Sequence, residues 1–304
     1  MREEKLYDCL IIGAGPGGLQ AAIYLGRCNF EVLLIDRTGG RTWHAKHIEN
    51  YFGHRLVTGE ELITTGIEQA KQFGTRVERG QVIGIRKRDT FEVDTHTDTC
   101  RARFVIVSSG VYDILPPLEN LYTFFGDSFH TCIDCDGYRT TGKKIVVMGD
   151  GIEAVNHAFA MKEMYTGDIT VVVDADSIPP EYEEELSDEG IPLVKGEPVK
   201  LLGGEHLEAV ELSSGERIPC EAVMSTYGYR RNDDFLSGLE LKKNQRGYYV
   251  TSRDYESSLS GLYIVGPLNT GHDQVVIAAG EGAVAALDIK RAVLEQRKMA
   301  FFTE

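Results

Sequence analysis

The chain has 304 residues, of which 42% are hydrophobic and 26% charged; these are the proportions of ordinary globular protein, at a length that suggests about two domains. Lys and Arg total 32 against 47 Asp and Glu, a net charge of −15, which disfavours nucleic-acid backbones and anionic membranes as partners and suits basic or small uncharged ones. No run approaches ~18 apolar residues, and Met1-Arg2-Glu3-Glu4-Lys5 leads into an apolar strand without a signal-peptide core, so no membrane span is expected and a cytoplasmic location is.

Leu6 to Ile12 reads as a buried strand. Gly13-Ala14-Gly15-Pro16-Gly17-Gly18 follows, then an apolar-periodic helix from Leu19 to Arg27 and a second strand from Glu31 to Ile35, closed by Asp36. This is a complete βαβ unit with glycines at its turn and an acid after its second strand. A helix is expected from about Glu60 to Phe73, short antiparallel strands over 77–93, and a buried strand from Phe104 to Val107 that ends in Ser108-Ser109-Gly110. Leu115-Pro116-Pro117 breaks the pattern and reads as a hinge. A second βαβ unit then begins: strand Lys144 to Met148, turn Gly149-Asp150-Gly151, helix Glu153 to Met164 and strand Ile169 to Val173, ending at Asp174. An acidic helix over 179–190 and short strands over 194–224 follow, with Gln245-Arg246-Gly247 as a return hinge, a strand Leu262 to Val265 and a long last helix from near Asp273. Two Rossmann-type units in tandem, with a late strand and helix after both, indicate one domain interrupted by the other.

The first glycine turn passes the context test for a dinucleotide site: it follows a strand, opens a helix and is followed by an acid at the next strand end. Gly13 allows the sharp turn, Gly15 lets the backbone approach a pyrophosphate, and Gly18 lets the helix pack close to the strand. The helix N-terminus offers unpaired N–H groups to phosphates. Asp36 is placed to accept hydrogen bonds from a ribose.

Of six cysteines, Cys9, Cys28, Cys100 and Cys220 stand alone, and Cys132 and Cys135 form a CxxC pair within His130-Thr131-Cys132-Ile133-Asp134-Cys135-Asp136-Gly137. In a reducing compartment such a pair is more often catalytic or metal-binding than a staple. It can close a small disulfide, and Asp136 could relay a proton to a departing thiolate. Zinc on His130, Cys132 and Cys135 is the rival, although no further CxxC or HxxxH completes the set; buried inert thiols are a third reading.

With these residues in place, the sequence resembles the low-molecular-weight thioredoxin reductases and their flavoprotein relatives over nearly its whole length. The likeness runs through the first glycine turn, Gly39-Gly40, Glu49-Asn50-Tyr51-Phe52-Gly53, Ser109-Gly110, Cys132-Ile133-Asp134-Cys135-Asp136-Gly137, Gly149-Asp150-Gly151, Gln274-Val275 and Gly280-Glu281-Gly282. The resemblance implies an α/β fold of two three-layer, Rossmann-like nucleotide-binding domains, the second inserted into the first. An FAD-binding domain would comprise residues 1–115 and 246–304, and residues 116–245 would carry the redox cysteines and a nucleotide site. It implies that Cys135 faces the flavin, Cys132 attacks the partner's disulfide and Asp136 is the acid/base. Gly13, Gly15, Pro16, Gly18, Asp36, Gly39, Gly40, Asn50, Val82, Ser109, Gly110, Gly266, Gln274 and Val275 would hold FAD. A homodimer and a thioredoxin-like acceptor are implied as well.

The sequence departs from the family where NADPH should bind. Asp174-Ala175-Asp176-Ser177 stands where the family has a basic cluster for the 2′-phosphate, and Asp150 and Glu153 stand at the second turn. Pro267 replaces an Asp that bonds the ribityl chain, and Asp273 replaces an Arg. The expected function is therefore an FAD-dependent disulfide oxidoreductase with a donor other than NADPH: reduced ferredoxin, a second flavin or NADH. An NADH-dependent reductase and a non-catalytic flavin-binding thiol sensor are the alternatives. Trp43, His44 and His47 are read as surface or dimer residues, and Phe301 or Phe302 as candidates to stack on a flavin.

Overall fold

The computed structural model describes residues 5–174 and 178–303, with side chains as far as 298. Asp176 of the acidic run and the rings of Phe301 and Phe302 lie outside what is described. Among the described residues no helix is long and apolar enough to cross a membrane. The chain divides into two compact units; one ends at Tyr112 and resumes at Arg231, and the other runs from Asp113 to Arg230. The resumption at Arg231 comes earlier than the Gln245–Gly247 turn suggested. Asn232 accounts for it: its N–H donates to Gly110 O (3.0 Å) and its Nδ2 to Ser109 O (3.2 Å), and it accepts from Ser109 Oγ (2.7 Å).

In the first unit five strands run parallel in the order Arg76–Arg79, Val32–Asp36, Leu6–Ile12, Thr99–Val107 and Leu262–Ile264. Parallel strands are covered on both faces and so need near-continuous apolar runs. Here Cys9, Ile11, Val32, Leu34, Phe104, Ile106 and Tyr263 pack with the helices on one face, and Leu10, Leu33 and Val105, of opposite parity, are also buried. Arg76–Arg79 is not one of the antiparallel strands expected over 77–93. It lies parallel to Val32–Asp36, from Leu33↔Arg76 to Asp36↔Arg79, because the helix Gly59–Gln72 returns the chain to the same end of the sheet. Thr99–Val107 is longer than its apolar half, since its polar start also pairs antiparallel with Phe91–Thr95. Phe91–Thr95 pairs in turn with Val82–Lys87.

The helix Pro16–Gly26 and the C-terminal helix Val275–Thr303 pack on this sheet and on each other. Their crossing depends on two glycines. A Cβ on Gly282 would overlap Gly17 O, and one on Gly17 would stand 2.9 Å from Ala278 O. Asp8, nearly buried, accepts from Arg297 Nη2 (2.8 Å) and Glu31 N (3.1 Å), and so ties the last helix to the strand edge.

The second unit is built on five parallel strands in the order Leu193–Lys195, Ile169–Val173, Ile145–Gly149, Ala222–Thr226 and Phe129–His130. Strand alternation divides its core. Ile145, Val147, Val171 and Ala222 face the helix Gly151–Met164, and Val146, Met148, Val172 and Val223 face the antiparallel meander Pro198–Gly203, Leu207–Leu212 and Arg217–Pro219. Each unit is thus a three-layer α/β structure around a parallel sheet.

Candidate functional site

The carboxyl ends of the first unit's parallel strands open into a cleft, the position where doubly wound sheets bind ligands. One part is lined by Gly13, Gly15, Pro16, Gly39, Gly40, Ser109, Gly110, Gly266, Gln274 and Val275. A second part shares Gly13, Asp36, Gly40 and Ser109 and adds Val82. Twelve of the fourteen residues expected to hold a cofactor therefore meet in one place. Gly18 and Asn50 do not line it. Gly18 is there for packing, since a Cβ would overlap Gly13 O. Asn50 is exposed and acts at one remove, donating from Nδ2 to Gln274 Oε1 (3.0 Å).

Two turn glycines separate folding from binding. Gly13 has φ +103°, and a Cβ there would overlap Ser108 O. Gly15 has an ordinary φ of −71°, and the nearest atom to its Cβ would be Ser108 O at 3.9 Å. The protein itself leaves room for a side chain at Gly15, so the space is open to a ligand. Gly15 is also the N-cap of Pro16–Gly26, which has no acidic residue in its first turn and no side-chain cap. Its unpaired N–H groups and the helix dipole favour an anion there. The Asp36 carboxylate accepts from Ala14 N (2.8 Å) and Gly39 N (2.5 Å), and the remaining lone pairs of its two oxygens can still accept ribose hydroxyls.

Several lining residues have no local sequence signal, because their partners are distant in the chain. Arg37 donates to Tyr112 Oη and lies over its ring, 5.0 Å from the centroid. Arg41 forms an ion pair with Asp273 across the cleft, so the acid at the family's Arg position is charge-compensated. Pro267 lines the cleft as the first residue of a short helix, Pro267–Thr270. Gly266 N donates instead to the buried Glu281, which also accepts from Asn269 Nδ2 (2.9 Å). Burial pushes the Glu281 carboxyl above its ordinary range, against these two hydrogen bonds. Trp43 packs on the core and on Gly39 rather than lying free on the surface.

In the second unit Cys132 and Cys135 are joined in a disulfide, with Cα atoms 5.3 Å apart. Both are half-buried. Cys132 caps the short helix Ile133–Asp136, and its Sγ accepts from Cys135 N (3.1 Å). Asp136 lies between two basic side chains: its Oδ2 is 3.7 Å from His130 Nδ1 and its Oδ1 is 3.7 Å from Arg139 Nε. No group of three or more His, Cys, Asp or Glu among the described residues is arranged to hold a metal ion. Two of the other thiols, Cys9 and Cys220, are buried. Burial pushes Cys220 up to about 12 and Cys9 higher still.

The second glycine turn carries carboxylates around its ligand end. Asp150 is the N-cap of Gly151–Met164 with no side-chain cap bond, and Glu153 is in the first turn; both are exposed. Asp174 follows the strand Ile169–Val173. Tyr227 lies among them. Burial, and after it the charges of Asp174, Asp150 and Glu197, push its phenol up to about 12. Among the described residues, three carboxylates thus act on one point beside the turn where a nucleotide's phosphates would lie.

Comparison with known proteins agrees with this geometry. A family model described as pyridine nucleotide-disulphide oxidoreductase matches residues 7–282. The chain is 28% identical to a thioredoxin reductase of Bacillus subtilis, covering 97% of each chain. It is 30% identical to a thioredoxin reductase of Mycoplasmopsis pulmonis, covering 94% of this chain and 97% of that one. The crystal structure of thioredoxin reductase from Streptococcus pyogenes superposes with a TM-score of 0.87 at 24% identity, over 96% of this chain and 100% of that one.

Proposed function

The chain belongs to the pyridine nucleotide-disulphide oxidoreductase family and is an FAD-dependent disulfide oxidoreductase of the thioredoxin reductase-like type; from that premise we propose that it draws electrons from a donor other than NADPH and delivers them through Cys132 and Cys135 to a protein disulfide such as that of thioredoxin. FAD, when bound, supplies the two-electron exchange between the donor and the Cys132–Cys135 disulfide. The residues present fit it: an open Gly15 cradle, an acid-free helix N-terminus and a carboxylate at the second strand end.

The observation that carries the donor reading is the set of carboxylates at the second turn: Asp150 at the N-cap of Gly151–Met164, Glu153 in its first turn and Asp174 directly after the strand Ile169–Val173. Like unit charges at about 4 Å repel by ~1 kcal/mol in water and ~4 kcal/mol at an effective dielectric of 20. Each close pair would weaken phosphate binding by roughly five- to a thousand-fold. The helix end, with ~0.3–1 kcal/mol of attraction at exposed sites, does not offset two such pairs. A ferredoxin or a second flavin needs no pyrophosphate cradle at this turn. NADH is the second reading: Asp174, at the end of the second strand as Asp36 is in the first unit, could accept from a ribose while repelling a 2′-phosphate.

Two residues carry the thiol chemistry in this reading. Cys132 attacks the partner's disulfide and Cys135 closes the ring again. Asp136, beside Cys135, holds the proton that the Cys135 sulfur gives up and takes back. A homodimer is inferred with the rest of the family pattern. Anaerobic stopped-flow mixing of the flavin-loaded protein with each donor tests the reading. Reduced ferredoxin is expected to bleach the flavin band rapidly and NADPH slowly or not at all, with NADH separating the two variants of the reading. Rapid bleaching by micromolar NADPH would return the chain to NADPH-dependent chemistry.

A further inference from the structure

His130 is fully buried, and neither of its ring nitrogens has a hydrogen-bond partner among the described residues. A buried imidazole without partners is unfavourable, and such groups are normally satisfied in the working state. A carboxylate lies within reach: Asp136 Oδ2 is 3.7 Å from His130 Nδ1. That is too long for a hydrogen bond and short enough for a rotation of the Asp136 side chain to close it. Catalytic hydrogen bonds are often long in the resting protein and tighten in the reacting complex. The backbone that carries the ring is well anchored. His130 ends the strand Phe129–His130, held parallel to Ala222–Thr226 with Met224↔His130 in register. Asp136 is on the same short turn as Cys135.

We propose that His130 is the positioning residue for Asp136. Its N–H closes on one carboxylate oxygen when the Cys132–Cys135 disulfide is open and turns the other toward the Cys135 sulfur. The proposal rests on the reading of Asp136 as the acid/base. The step it assists is the closing half of exchange with a disulfide R–S–S–R′. The Cys132 thiolate attacks one sulfur, forms a mixed disulfide with it and releases R′–S⁻. Cys135 then gives its proton to Asp136, and its sulfur attacks the Cys132 sulfur, displaces R–S⁻ and forms the Cys132–Cys135 bond. Two thiols of this chain are oxidised, one disulfide is reduced to two thiolates, and the protons leave through Asp136 and solvent.

The test needs no physiological donor or acceptor. Flavin-loaded protein, its disulfide opened with dithiothreitol and the reductant removed, is mixed anaerobically with one equivalent of 5,5′-dithiobis(2-nitrobenzoate). The closing step is read as release of the second thionitrobenzoate. His130→Phe and His130→Gln are made alone and together with Asp136→Asn, and flavin content and melting temperature check folding. D136N is expected to slow closure by ~10²–10⁴-fold. H130F should slow it at least ~10-fold alone and less than ~2-fold in the D136N background, because two residues acting through one proton are not additive. H130Q, which retains an N–H, should stay within ~3-fold of the parent. If H130F loses flavin or melts early, His130→Leu, which also lacks a donor, takes its place. Equal factors in both backgrounds would make His130 merely structural and overturn the proposal. A slow D136N with a normal H130F would overturn it while sparing Asp136 as the acid/base. A normal D136N would remove both.

Discussion

Gly13 and Gly15 are two residues apart and perform different tasks, which substitution should separate. Gly13→Ala forces a side chain into a left-handed φ and against a backbone carbonyl. It should cost at least ~3 kcal/mol of stability, through strain and overpacking together. Gly15→Ala meets only Ser108 O, at an ordinary contact distance, and should cost only ~1 kcal/mol as a poorer N-cap, while lowering FAD affinity by about 10–100-fold, ~1.4–2.7 kcal/mol. Melting of the flavin-free protein and flavin-fluorescence titration check the two halves. Both glycines are legible in the sequence because the turn, the strand before it and the acid after it are local. The neighbours they meet in the cleft are not. Nothing near Ser109 indicates that its hydroxyl is occupied by the carbonyl of Asn232, and Arg41 is 232 residues from the acid it pairs with. His130 was legible as a zinc-ligand candidate, but the nearness of its ring to Asp136 required the fold.

At the scale of elements, Glu281 links the last helix to the turn at Gly266, in the wall of the cleft. Its folded pKa is raised, so the stability it contributes is complete below its unfolded value near 4.5 and is lost as pH rises through the higher folded value. Glu281→Gln keeps an acceptor for Gly266 N and Asn269 Nδ2 and removes the buried group that ionises. E281Q is therefore expected to melt higher than the parent at pH 7–8, with the gap closing toward pH 4. Melting curves across that range decide it, and a gap that does not vary with pH would rule out the titration. Most elements follow from pattern alone: apolar runs for parallel strands, and the Thr58–Glu61 capping box for the helix that starts at Gly59. Arg76–Arg79 does not stand out in the sequence, because a four-residue, charge-rich edge strand has the composition of the meander after it. Only the crossover helix before it gives its direction.

For the whole molecule, the second unit is one uninterrupted stretch with its own core on both faces of its sheet. Its ends meet: Ile114 N donates to Gly228 O at 2.9 Å. The segment 113–230 is expected to fold when expressed alone, to unfold cooperatively in urea, and to retain a reducible Cys132–Cys135 disulfide without binding flavin. Circular dichroism and thiol titration test this, and a segment without a cooperative transition would show that its core is incomplete. That two units exist was readable from the repeated strand–glycine–helix pattern. The point of return was not, since the bonds that fix Asn232 to Ser109 and Gly110 join residues more than a hundred positions apart.

The hydrogen bond between Ile114 and Gly228 also bears on how such a protein can be inherited and rebuilt. Loop closure costs free energy according to the length of chain between two fixed points. Here the outgoing and returning segments are already neighbours, so the surrounding unit closes the same short gap whatever lies beyond it. A cassette of another length, with another pair of reactive groups or another docking face, could replace residues 113–230 at little entropic penalty to the cofactor-binding half. The carboxylates on which the proposed choice of donor rests, Asp150 and Asp174, lie inside that cassette, so on that reading a change of electron source leaves the residues lining the first unit's cleft unaltered.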